Sequence, residues 1–338
     1  MPIKSPSEYT PPLSSSPDAD VVVKAGRAIW IVAALMMIAT WMSYRFAALS
    51  CNIWSQSNAL LAVAVCIAVA HCYRRWRPDP FISIGAEGCA QLSVILTLGT
   101  LLNYPLAAAA FPYRDADLHA IDLSLGLDWR TYLHFFNTHP TLGAIIDAAY
   151  HSIRVQFLLV LGVLVATSRF VRLQQFILAI TFSLLVALVI FAFVPATGAY
   201  IFLQIPSADY ANLSPSFIYM QHLEAMRTGD ESFLINAGSM EGLITFPSFH
   251  TVCAILFAWA LLPVRILRWP IVALNVLMIS STPISGAHYF IDLVAGSIVA
   301  ALSIACAALF TRMLRLGSLS GILSPGRADI RSSPSPSV

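Results

Sequence analysis

The chain has 338 residues, 58% of them hydrophobic and 11% charged, with a formal net charge of +2. A soluble domain carries about 25% charged residues. The deficit, with apolar residues gathered in long blocks, excludes an ordinary water-soluble globule and predicts a polytopic membrane protein.

Taken in order, residues 1–20 are rich in Ser and Pro and offer little to bury, which predicts a disordered N-terminal tail over 1–24. This start is not read as a cleaved signal peptide, because the first apolar block is itself long enough to span a bilayer. A membrane domain is expected over 25–316 and a second disordered tail, rich in Ser, Pro and Arg, over 317–338. The first span is expected at 28–49 and a shorter second at 57–72. Arg74, Arg75, Arg77, Pro78 and Pro80 mark the loop after it. The third span covers 89–110, with Pro105 placed to kink its end.

Residues 111–150 mix Asp115, Asp117, Asp122, Asp128 and Asp147 with Trp129, Tyr132, Phe135 and Phe136. They predict short amphipathic helices on the membrane surface. A fourth span follows at 155–168, longer if it begins near Tyr150, and a fifth at 174–194. The polar connection 195–247 is too long for an idle loop and is expected to cover a site. The sixth span begins near Ser248, the seventh is 269–282 and the eighth 287–311. The fold class is thus an all-α membrane bundle of about eight helices.

Eight spans place both termini on one side. With that side cytoplasmic, fourteen Lys and Arg residues fall inside, while Arg45, Arg114, Arg130, Arg154 and Arg227 fall outside. That is the positive-inside bias, and it puts the outward loops on the periplasmic, extracellular or lumenal face. The six cysteines show neither a disulfide framework nor metal-ligand spacing.

Two stretches stand where polar loops turn apolar: Phe246 to Thr251 and Gly286 to Asp292. One crossing out and one back separate them, so His250 and His288 share a face, the outer one. His288 and Asp292 are four apart and stack on one side of a helix. An imidazole can attack phosphorus and split one displacement into two. A carboxylate on its other nitrogen fixes the tautomer. A second imidazole, with an ordinary pKa of about 6.5, suits acid and base work. Ser248 is placed to cap the sixth helix, whose free amides can bind phosphate oxygens. This chemistry calls for no metal and no cofactor.

Pro247-Ser248-Phe249-His250 resembles the Pro-Ser-x-His element of the type 2 phosphatidic acid phosphatase (PAP2) superfamily. Ser281, His288 and Asp292 resemble its third motif. The chain looks most like the inositolphosphotransferase branch, which includes inositol phosphorylceramide and sphingomyelin synthases. The stretch Ile121 to Trp129, with Tyr150 and Gln156, looks like bacterial members of that branch. The resemblance implies a six-helix core at about 89–312 behind two extra N-terminal helices, with the last three spans carrying the site. It implies His288 as nucleophile, Asp292 as its orienting carboxylate and His250 as acid, then base. The substrate implied is a lipid phosphate or phosphodiester. The acceptor is water or a lipid hydroxyl such as that of ceramide or diacylglycerol. No nucleic-acid partner is implied.

Two departures stand out. The third motif's usual Arg is replaced by Thr282. The usual first motif, a Lys followed after six residues by Arg-Pro, is absent around Val194 to Tyr200. Arg154, with Tyr150 and Gln156, is the candidate replacement clamp, read beside the plain alternative of an interfacial anchor. Asp122 and Asp128 read as helix caps or as substrate contacts. Glu241 and Asp230 read as solvated loop residues, or as metal or head-group ligands. The other histidines, His151 among them, show no ligand spacing. A non-catalytic transporter or channel is the alternative class.

Overall fold

A computed structural model describes residues 17–206, 209, 217–229 and 233–323. Asp230 and most of both expected tails lie outside the described residues. The chain is an all-α polytopic bundle. Its helices are α1 (Pro17–Phe46), α2 (Ser57–Arg75), α3 (Pro80–Ala108), α4 (Asp115–Ser124), α5 (Trp129–Thr138), α6 (Pro140–His151) and α7 (Ile153–Ala166). Then follow α8 (Phe170–Phe193), α9 (Ala199–Phe202), α10 (Ile218–Thr228), α11 (Phe249–Leu261), α12 (Arg268–Ser285) and α13 (Phe290–Leu323). One two-residue parallel pairing, Cys51–Asn52 with Ile235–Asn236, ties the α1–α2 connection to the long polar segment.

The expected count of eight spans is not confirmed. Among the described residues five helices are long and apolar enough to cross: α1, α2 with the turn before it, α3, α8 and α13. A sixth is added if α6 and α7, bent by 53° at their junction, form one span. The shortfall has physical causes. Helix α11 has 13 residues, about 20 Å of rise, less than a hydrocarbon core of about 30 Å. Helix α12 dilutes its apolar face with Asn275, Ser280, Ser281 and Thr282.

The packing is that of a membrane protein. Large apolar side chains face outward, as at Ile31, Leu35 and Trp41 of α1, Leu61 of α2, Val189 of α8 and Leu302 of α13. An uninterrupted belt of this kind matches lipid. Polar groups sit inside, as at Gln91, Gln174, Ser183 and Asn275. The main core joins α1, α3, α7, α8, α11 and α13 around Ile29, Ile95, Val160, Phe176, Phe257 and Ala300. A second core lies under α4, α5 and α9, where Trp129, Leu133, Tyr200, Ile284 and Tyr289 meet. That cluster seats the surface helices of 115–138 directly over the α12–α13 loop.

Candidate active site

The α12–α13 loop, Gly286 to Tyr289, is fixed from every side. Asp292 lies in the first turn of α13 and His288 two residues before the helix. His288 Nδ1 donates to Asp292 Oδ2 at 3.0 Å, and Tyr289 N donates to the same oxygen at 2.9 Å. An ionised carboxylate only accepts, so Nδ1 carries the proton and Nε2 keeps its lone pair. Both side chains are buried, His288 at 5% and Asp292 at 2% exposure. The expected contact forms, but with His288 outside the helix: the turn of the loop into α13, rather than a shared helical face, brings Nδ1 to the carboxylate.

The loop's backbone is held from above. Ala287 sits at φ 59°, a left-handed conformation costly for a residue with a Cβ. Its carbonyl accepts from Ala199 N at 2.8 Å, and the His288 carbonyl accepts from Trp129 Nε1 at 3.2 Å. Asp122 of α4 accepts from Phe290 N and Ile291 N, both at 2.8 Å, capping α13 from another helix. Burial raises its carboxyl above the ordinary value, and the two amides lower it. Asp115 accepts from Thr197 N, the Thr197 hydroxyl, Gly198 N and the Tyr289 hydroxyl. Burial first, then the Asp115 carboxylate, pushes the Tyr289 hydroxyl well up, so it stays a donor. Gly198, at φ 90°, approaches Ala287 so closely that a Cβ there would lie 2.8 Å from the Ala287 carbonyl oxygen.

His250 is the second residue of α11. Ser248 caps that helix, accepting from Thr251 N at 3.3 Å, and Ser248 N donates to the Asp292 carbonyl at 3.2 Å. The two helix starts are thus bonded to each other. Gly296 allows it, because a Cβ there would lie 2.6 Å from the Ser248 carbonyl oxygen. The His250 ring stacks on Tyr150, centroids 4.0 Å apart and planes 13° from parallel.

His250, His288, Tyr150 and Arg154 line one cavity of about 640 Å³. Arg154 is exposed and makes no hydrogen bond or ion pair among the described residues. Two expected ligands lie elsewhere. Ser248 is fully buried and its hydroxyl is taken by the cap. Gln156 is two residues past Arg154, which on a helix is nearly the opposite face. Its carbonyl oxygen accepts from Asn275 Nδ2 at 2.8 Å and its amide donates to Ser152 Oγ at 2.9 Å. Neither lines the cavity, so neither is available to hold a phosphate there.

Other residues reach the cavity that the sequence reading left unassigned. Ser285 donates to Asp147 at 2.7 Å, and His151 lies 3.6 Å from the other oxygen of Asp147. The Asp147/His151 spacing of four was the available signal. Asn103 of α3 and Tyr219 of α10 complete the wall, together with Glu241, which the sequence does offer as a loop residue or a ligand. The site therefore draws on α3, α6, α7 and α10 as well as the last three apolar helices. Asp128 proves to be the cap of α5, accepting from Arg130 N and the Thr131 hydroxyl.

A sequence profile of the PAP2 superfamily matches residues 116–306. No curated protein and no solved structure matches the chain.

Proposed function

The chain belongs to the PAP2 superfamily, and from that membership we propose a membrane enzyme of phosphatase type that acts on a lipid phosphate or phosphodiester through a phosphohistidine. The observation that carries the proposal is the buried His288–Asp292 bond of 3.0 Å, with His288 and His250 on one cavity.

In the first step Nε2 of His288 attacks phosphorus while the bond from phosphorus to the leaving oxygen breaks. Burial, and then His288, hold the His250 imidazole below its ordinary value, so it carries a proton only with the phosphate's negative charge beside it, and it gives that proton to the leaving oxygen. Asp292 holds Nδ1–H and stabilises the imidazole as it becomes cationic. In the second step neutral His250 takes a proton from the acceptor hydroxyl, whose oxygen attacks phosphorus as the P–N bond breaks. Water as acceptor gives hydrolysis; a lipid hydroxyl gives transfer of the phospho-head group. Arg154, beside Tyr150, supplies the positive charge that the absent Lys and Arg-Pro pattern would otherwise bring. On the eight-span reading the charge bias along the chain supports cytoplasmic termini and a site on the opposite, outer face.

The test uses detergent-purified protein, EDTA and a short-chain lipid phosphate labelled at phosphorus, with and without diacylglycerol or ceramide. Quenching in base should trap an acid-labile phosphoprotein in the wild type and none in His288→Ala. Free phosphate identifies the hydrolase, and a new head-group-bearing lipid identifies the transferase. Wild-type turnover in His288→Ala would sink the assignment and favour a transport role.

A further inference from the structure

We propose that a second cavity, at the end of the bundle away from the histidines, binds the phosphate of an anionic phospholipid. The inference does not depend on the phosphoryl-transfer reading, because the two cavities share no lining residue.

This cavity, of about 380 Å³, lies between the first turns of α1 and the turn from α2 into α3. Its lining on α3 ends at Glu87, whereas the catalytic cavity is lined on α3 from Leu96 to Asn103. Helix α3 rises about 24 Å from Glu87 to Asn103 and is long and apolar enough to span, so the two cavities lie toward opposite faces of the bilayer. Trp30 donates from Nε1 to Glu87 at 3.0 Å, and an indole at this level marks the lipid head-group zone.

The charged groups of the lining are unevenly satisfied. Both carboxylates are occupied. Glu87 accepts from Arg74 at 2.5 Å as well as from Trp30. Asp79 caps α3, accepting from Phe81 N at 2.9 Å and Ile82 N at 3.2 Å. Asp20, whose carboxylate feels Arg27, is ion-paired with Lys24 at 2.7 Å. The donors are not used up. Arg27 is exposed and makes no hydrogen bond or ion pair among the described residues. Arg74 gives Glu87 one of its five N–H groups. Arg75 and Arg77 add positive charge at the same turn. Free donors beside occupied acceptors fit an anion with several oxygens, and the planar guanidinium fork matches phosphate.

Val22, Val23 and Ile84 line the same cavity, and Val23 is 51% exposed on the outward side of α1. They give a glycerol and the start of its chains an apolar surface that a free phosphate would leave uncovered. On the eight-span reading this face is cytoplasmic, where basic pockets between spans receive anionic head groups. Helices α1 to α3 all precede the matched stretch 116–306, so the superfamily profile does not describe this cavity. The plain alternative is that Arg27 only anchors α1 at the interface, a role without preference among lipids of one chain length.

Native mass spectrometry of the full chain in detergent tests the proposal, with dioleoyl phosphatidylglycerol, dioleoyl phosphatidylcholine and inorganic phosphate as probes. The wild type should retain phosphatidylglycerol roughly tenfold more tightly than phosphatidylcholine. Arg27→Gln should abolish that preference, and Arg27→Lys should restore part of it. Arg265→Gln removes the same charge from the α11–α12 turn, outside the cavity, and should leave the preference intact. Repeating the series in an Arg154→Gln background should give the same losses, which separates this site from whatever the catalytic cavity binds. Equal losses in Arg27→Gln and Arg265→Gln, or no Arg27-dependent binding of any probe, overturn the site. Arg27-dependent binding of inorganic phosphate, with the two lipids retained equally, overturns the lipid and makes the ligand a soluble phosphate.

Discussion

Gly286→Ala tests whether the geometry of the α12–α13 loop carries the activity. A Cβ at Gly286 would lie 2.8 Å from three atoms: the Thr282 carbonyl oxygen, His288 Cδ2 and the Tyr150 hydroxyl. Ordinary contact begins at 3.4 Å, so each neighbour must retreat by about 0.6 Å to reach a van der Waals distance. The Thr282 carbonyl accepts from Gly286 N at 3.0 Å within the last turn of α12 and resists moving. The displacement therefore falls on the His288 ring and on Tyr150, against which His250 is stacked. Overpacking of this kind costs about 1–3 kcal/mol of stability. A misplacement of roughly 1 Å at a reacting group costs on the order of a hundredfold in rate, so kcat should fall by about ten- to a hundredfold. Gly162→Ala in α7 is the control, since a Cβ there meets nothing within 4 Å and gains about 1 kcal/mol of helix propensity. Phosphate release and thermal unfolding in detergent are read on both. A Gly286→Ala enzyme with wild-type kcat would refute the claim that this loop positions the nucleophile.

Asp292→Asn should lower kcat by about 10²- to 10⁴-fold with little change in folding, because the amide no longer fixes Nδ1–H; steady-state rates across pH check it, and full activity at any pH would remove the orienting role. Arg154→Gln should raise KM roughly tenfold while the exposed site leaves stability alone, and Arg154→Lys should recover only part, since a point charge does not replace a bidentate fork. Asp115→Ala strands the Thr197 and Gly198 amides and the Tyr289 hydroxyl; losing a buried charged acceptor costs about 3–5 kcal/mol, read as a large drop in Tm. Asp122 gives a pH signature. Its folded carboxyl lies above the ordinary 3.8, so the folded chain holds the proton longer than the unfolded chain, and stability from this group declines as pH rises between the two values. Asp122→Asn should remove that slope from Tm against pH, and an unaltered slope would discard the assignment.

The pairing of His288 with Asp292 was legible because four residues along one helix start fix the contact locally. So was the cap at Ser248, which its place before an apolar helix announces. The long-range partners were not. Asp122 meets Phe290 168 residues away and Asp115 meets Tyr289 174 away, and nothing in a lone aspartate names its partner. Asn103 stands inside an apolar block, and only the fold sets it on the same cavity as the histidines. Gln156 shows the opposite failure. The resemblance suggested a role shared with Arg154, but the helical period turns the two side chains apart. The span count stays unconfirmed for a related reason, since the 13 apolar residues of α11 rise less than the thickness of the bilayer core.

On the proposed function, the position of the phosphate follows from which helix start remains free. At α13 the amides of Tyr289, Phe290 and Ile291 already donate to Asp292 and Asp122. Two carboxylates there offset the positive end of that helix and repel an anion. At α11 the side-chain cap among the described residues is the neutral Ser248 hydroxyl on Thr251 N. The amides of Phe249 and His250 have no hydrogen-bond partner among the described residues, as expected for a first helical turn. Helix α11 is therefore the start that can receive phosphate oxygens. Arg154 lines the same cavity as Phe249 and His250, so positive charge from α7 and free amides from α11 converge where the missing basic motif would otherwise act. On the proposed mechanism this puts phosphorus over Nε2 of His288, with the leaving oxygen toward His250. The three buried carboxylates around the loop then have one shared task. They hold the nucleophile still while their own charge is taken up by N–H and O–H donors, away from the substrate.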